Sequence, residues 1–80
     1  MGLHNAAQQA MTKSAITIGL GKRIRQRRMQ LGLSQERLGE VAGLHRTYIG
    51  AVERGEKNLT VVTLCRIANA LKRRAEFFLE

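Results

Sequence analysis

The chain has no proline, no tryptophan and no aspartate, and it holds one cysteine, one tyrosine and two phenylalanines. Each shortage excludes something. The lone thiol of Cys65 cannot close an internal disulfide, and with only His4 and His45 beside it no zinc-ligand spacing arises. No apolar stretch is long enough to span a bilayer, and no basic region leads into a hydrophobic run at the N-terminus. A soluble, cytoplasmic protein without a membrane partner is therefore expected. Catalysis needs a constellation, and the chain offers no aspartate, no paired histidine and cysteine and no glycine-rich phosphate loop after a strand. Neither an enzyme nor a cofactor is expected. Three aromatics, two of them adjacent near the C-terminus, give no stacking platform for RNA.

What is present is positive charge. Fourteen Lys and Arg stand against six Glu, a formal charge of +8 over 80 residues, which sets up a field favouring polyanions, nucleic acid first among them. A chain of this length can bury one small core and is marginally stable alone, so dimerisation would help it.

Residues 1–17 are polar and small, with apolar residues too sparse to bury a face, and read as a flexible arm or weak extra helix; residues 18–80 read as one domain. From Leu20 a helical rhythm sets in. Leu20, Ile24 and Leu31 share one side, Lys22, Arg25 and Met29 lie opposite, and Gly32 stops the helix. Ser34 is a good N-cap for a second helix over about 35–42, with Leu38, Val41 and Ala42 inward, Glu36 and Glu40 outward, and Gly43 free to take the left-handed conformation that closes it. A third helix over about 45–54 buries Ile49 and Val52. Gly55 ends it, and Thr60 caps a fourth helix whose stripe is Leu64, Ile67, Ala68 and Leu71. After the run Lys72, Arg73 and Arg74, a last turn carries Phe77, Phe78 and Leu79, too apolar for a free terminus and expected to form a dimer interface. The fold class expected is all-α, a compact bundle of four to five short helices.

The third helix raises a question. Its outer side collects Thr47, Gly50, Ala51 and Arg54 next to Arg46, although an interior glycine costs a helix about 0.5 to 1 kcal/mol relative to alanine. A helix entering a DNA major groove about 12 Å wide must fit its own diameter between the phosphates, and small residues on the entering side give that clearance. Close packing against another protein element is the alternative.

The stretch SQERLGEVAGLHRTYIGAVERG resembles the helix-turn-helix of the phage-repressor-like (xenobiotic-response-element) transcription regulators, with Gly39 facing the turn, Gly43 in it, and Leu38, Ala42, Leu44, Ile49 and Val52 inside. RTYIGAVERGEKNLT is similar to the controller proteins of restriction-modification systems. The resemblance implies a lambda-repressor-like DNA-binding domain that binds a two-fold operator in double-stranded DNA as a homodimer. It implies Gln35 on a phosphate, Arg46, Thr47 and Ala51 on bases, and Arg54, Lys57, Asn58 and Thr60 on the other phosphate wall. Tyr48 either reaches the DNA backbone or packs on the neighbouring helix. His45 stands where relatives carry a capping serine or aspartate; as a poor cap it points at DNA or is simply exposed. Arg28 and Glu53 correspond to an internal ion pair that orients the recognition helix. Glu36 and Glu40 match an acidic patch that touches the sigma subunit of RNA polymerase in lambda-type activators, with solvated charge as the alternative. Arg27 falls where many relatives have leucine, its stem over the core and its head in solvent. An antitoxin-type or phage-type repressor whose C-terminal segment docks a protein partner is the second reading.

Overall fold

A computed structural model describes residues 13–80; the arm expected over 1–17 lies outside the described residues up to residue 12. Five helices follow one another, α1 Ala15–Gln30, α2 Gln35–Ala42, α3 Arg46–Glu53, α4 Val61–Ala70 and α5 Glu76–Leu79, with no strand among the described residues.

The first helix begins earlier than its apolar rhythm suggests. Ser14 and Thr17 form a reciprocal cap, in which the Thr17 amide donates to the Ser14 hydroxyl at 3.2 Å and the Ser14 amide to the Thr17 hydroxyl at 2.8 Å. Two of the helix's orphan donors are thereby satisfied, and Thr17, expected in the arm, is buried.

Ser34 and Thr60 cap α2 and α4 as expected, accepting from the amides of Arg37 at 2.9 Å and Thr63 at 3.1 Å. Gly43 has φ of +72°, a conformation a side chain rarely adopts, and lets the Leu44 amide donate back to the Gly39 carbonyl at 2.8 Å. The chain can thus reverse within three residues and present α3 across α2.

Leu20, Ile24, Leu38, Ala42, Ile49, Val52, Leu64, Ile67, Ala68 and Leu71 make one core. Two expectations need correction here. Val41 is 51% exposed, because α2 is so short that Leu38 and Ala42, one turn apart, already fill its contact with the core. Phe78 is fully buried and closes the core from the C-terminal side, where α5 packs on α1, so it is not available to a dimer interface. Phe77 and Leu79 on either side of it stay 42% and 59% exposed.

Candidate nucleic-acid interface

The position of α3 is fixed from its inner side by charge as well as packing. Arg28 on α1 reaches Glu53 at the end of α3 with two parallel hydrogen bonds, Nε to Oε2 at 2.6 Å and Nη2 to Oε1 at 3.0 Å, and spends Nη1 on the Leu33 carbonyl at 2.8 Å. The Glu53 carboxylate is 2% exposed, and a buried charge of that kind is tolerable only when its oxygens are engaged. Gln35 completes the set by donating Nε2 to Glu53 Oε1 at 3.0 Å. The expected Arg28–Glu53 pair is therefore present, and Gln35 is tied to it: one amide hydrogen goes inward while its oxygen faces the outer side of α3.

That outer side is a shallow depression lined by Gln35, Arg46, Thr47, Gly50 and Arg54. Five residues expected at the DNA surface thus meet in one place. Gly50 forms the floor. A methyl built on it would find Arg54 Nη1 at 3.1 Å and the Gln35 amide at 3.5 and 3.8 Å, all side-chain tips, with no backbone of another element nearer than these. Close packing of main chains accounts for other glycines in this chain but not for this one. At Gly21 a methyl would run into the Val52 and Glu53 carbonyls, and at Gly39 into the carbonyl of Leu44.

Ala51, expected to read a base, is instead 7% exposed. It lies one residue, about 100°, round the helix from Gly50, toward the inner side that Val52 continues, so its methyl does not face the depression. Of the residues expected to read bases, Arg46 and Thr47 are exposed, at the amino end of α3.

His45 also departs from expectation. Its Nδ1 accepts from the Thr47 amide at 3.1 Å and lies 2.8 Å from the Thr47 hydroxyl, so it caps α3 after all. The cap leaves the ring proton of a neutral imidazole on Nε2, and the exposed ring lines, with Glu36, Glu40 and Arg46, a depression other than the one over Gly50. Tyr48 is half-buried against the core, with Lys57 Nζ 5.9 Å from its ring centroid, which favours packing over backbone contact.

Arg54 stands over Gly50 and is held by Glu56 through Nε at 3.0 Å and Nη2 at 3.2 Å. This hydrogen-bonded pair, reinforced by its opposite charges, raises the Arg54 pKa and lowers that of Glu56. Lys57, Asn58 and Thr60 follow, all exposed. Glu36 and Glu40 are exposed on α2, but each faces an arginine, Arg46 at 3.6 Å and Arg37 at 3.1 Å, so they do not form a bare acidic patch.

Two arginines that local pattern leaves unassigned hold the unit in place. Arg66 on α4 donates Nε to the Ala42 carbonyl at 3.1 Å and Nη2 to the Gly43 carbonyl at 2.8 Å, a cation at the carbonyl end of α2. The head of Arg27, expected in solvent, donates Nε to the Leu71 carbonyl at 3.0 Å. An arginine on the core side of its helix is the available sequence signal for Arg27; for Arg66 there is none, since its partners lie 23 and 24 residues away.

Comparison with known proteins agrees with this geometry. A helix-turn-helix family model matches residues 24–78. Control protein C.SmaI of Serratia marcescens is 54% identical over 52 residues, which cover 65% of this chain and 62% of that protein. The crystal structure of the restriction-modification controller protein C.AhdI from Aeromonas hydrophila superposes with a TM-score of 0.79 at 38% identity, covering 81% of this chain and 98% of that one. SinR, a master regulator for biofilm formation solved in complex with DNA, superposes with a TM-score of 0.73 at 29% identity over 76% of this chain and 98% of its own. With its turn at Gly43, its α3 carried on the Arg28–Glu53 pair and the match over residues 24–78, this chain belongs to the helix-turn-helix family.

Proposed function

We propose that the protein is a sequence-specific regulator of transcription that binds double-stranded DNA as a homodimer at a two-fold operator, in the manner of a restriction-modification controller, and that it acts in the cytoplasm. The observation that carries this reading is Gly50 at the floor of a depression rimmed by Gln35, Arg46, Thr47 and Arg54, with no protein backbone packed on it. Gly50 itself is buried beneath the tips of Arg54 and Gln35, so the main chain of α3 meets base-pair edges there once those side chains turn to the DNA, and its N-terminal residues supply a guanidinium fork and a hydroxyl with a methyl. Arg46 is the bidentate donor for a guanine, worth about 1 to 3 kcal/mol of discrimination. Arg54, Lys57, Asn58 and the start of α4 at Thr60 lie on the phosphates, where the cations Arg54 and Lys57 each contribute about 0.9 to the slope of log affinity against log salt and the neutral contacts do not. In a dimer the two α3 helices enter successive major grooves about 34 Å apart.

Phe77 and Leu79, exposed beside buried Phe78, serve as the subunit contact in this reading. The same pair would serve an antitoxin-type or phage-type repressor as a dock for a protein partner, and the mass of the purified species separates the two. A polymerase sigma contact through Glu36 and Glu40 requires Arg46 to leave Glu36 for DNA first.

Selection from randomised duplexes gives the operator, and two variants then test the reading. Arg46→Ala should weaken the selected duplex about 10- to 100-fold and relax a single base position, whereas Lys57→Ala should weaken selected and random duplexes alike. Equal losses on both duplexes for both variants would remove base reading by Arg46.

A further inference from the structure

The net charge of +8 is not where the recognition helix is. Residues 33–60, which hold α2, the turn, α3 and the following loop, carry four Lys and Arg against four Glu and are neutral. Every one of those glutamates is engaged by an arginine: Glu36 by Arg46, Glu40 by Arg37, Glu53 by Arg28 and Glu56 by Arg54. The excess lies elsewhere. Residues 13–32 carry six cations and no carboxylate side chain, and residues 61–80 carry four cations against two glutamates. Among the described residues, no carboxylate lies within ion-pair distance of Lys22, Arg23, Arg25, Lys72, Arg73 or Arg74.

The fold brings Arg23 and Lys72–Arg74 together. The Arg27 bond to the Leu71 carbonyl pins the second half of α1 to the end of α4, so the run Lys72, Arg73 and Arg74 starts beside α1. Packing of α5 on α1 keeps it there, with the Arg73 guanidinium 5.0 Å from the centre of the Phe77 ring. Arg23 is one turn of α1 before Arg27 and on the same side. This flank is turned away from α3: Gly21, which meets the carbonyls at the end of α3, lies about 120° round α1 from Arg27.

We propose that Arg23 on α1 and Lys72–Arg74 form a second DNA-contact surface, which grips the phosphates of a duplex segment other than the one in front of α3, without reading its bases. A polyanion is the ligand that the exposed Lys72, Arg73 and Arg74 and the half-buried Arg23 fit, because its release of condensed counterions adds to what a recognition unit of zero net charge supplies. The flank offers a single strand one aromatic, Phe77, with Arg73 on one face of its ring, and no second ring on which a successive base would stack. Duplex DNA is therefore the occupant. One molecule could then hold an operator with α3 and a flanking or separate duplex with this surface.

The test uses the full chain and the variant Arg23→Gln/Lys72→Asn/Arg74→Gln. It spares Arg27 and Arg73, which make contacts within the fold, and asparagine tolerates the φ of +60° at residue 72. First, affinity for a random duplex is measured against salt: the variant slope should be shallower by about 0.9 for each phosphate contact removed, up to three. An unchanged slope overturns the proposal. Second, the protein is saturated with an immobilised selected duplex and offered a labelled random duplex. Wild type should capture it, and the variant should capture at least tenfold less while holding the selected duplex and melting at the same temperature. Equal capture by both, or no capture by wild type, also overturns it, as does capture of anionic lipid vesicles in place of DNA. The salt series needs no base reading by α3, so a failure of operator recognition and a failure of this surface are told apart.

Discussion

Gly39 and Gly50 both interrupt short helices with a residue of poor helix propensity, yet the two positions differ in what they face. A methyl at Gly39 meets the backbone carbonyl of Leu44, and the turn between α2 and α3 exists only because nothing occupies that space. At Gly50 a methyl meets the tips of Arg54 and Gln35, and Arg54, more than half exposed, is held there by Glu56 and not by backbone. The fold accounts for the first glycine and leaves the second without an internal reason. The same division runs through α3 as a whole, whose inner side of Ile49, Val52 and Glu53 answers to packing while its outer side of Arg46, Thr47 and Gly50 makes no demand of the core.

The largest effect should come from disturbing the inner side. Arg28→Met leaves the Glu53 carboxylate buried with Gln35 alone and should cost about 3 to 5 kcal/mol in denaturant unfolding; a loss below 1 kcal/mol would mean that the pair does not set α3. Next comes Gly39→Ala, with Gly21→Ala beside it, where collision with backbone carbonyls should cost about 1 to 3 kcal/mol. Tolerance of alanine at both would erase the contrast with Gly50. Ser34→Ala and Thr60→Ala remove capping oxygens and should each cost about 1 kcal/mol, with the operator preference of the folded fraction unchanged.

The smallest effect is one of pH. The folded pKa of Glu56 is lowered by its bond to Arg54, so its contribution is complete above its unfolded-state pKa and is lost as pH falls through the lower folded value. Glu56→Gln should flatten the acid limb of the stability curve slightly, and since the pair is only half-buried and screened by solvent it should do little else. A larger change would assign Glu56 a part in holding the loop.

What could be seen in the sequence was what is local. Ser34, Gly43 and Thr60 act on amides or on a turn within a few residues of themselves, and the stripe from Leu64 to Leu71 reports its helix directly. Family resemblance added the Arg28–Glu53 pair, which spans 25 residues and has no local signal. Missed were features set by tertiary placement: α1 starting at Ala15, Phe78 folding inward while its neighbours do not, Ala51 turning from the groove, and Arg27 and Arg66 donating to carbonyls at the ends of other helices. His45 departs from its residue type for a different reason. Its capping depends on a ring tautomer and a rotamer, neither of which residue type alone determines.

The most direct test is Gly50→Ala, followed by both unfolding and DNA affinity. If the glycine is there for a ligand, the variant should be as stable as wild type or more so by up to about 1 kcal/mol, from improved helix propensity, and should bind the selected duplex at least tenfold more weakly. A variant that unfolds more easily, or one that binds the selected duplex as tightly as wild type, would contradict the assignment of this face of α3 to DNA.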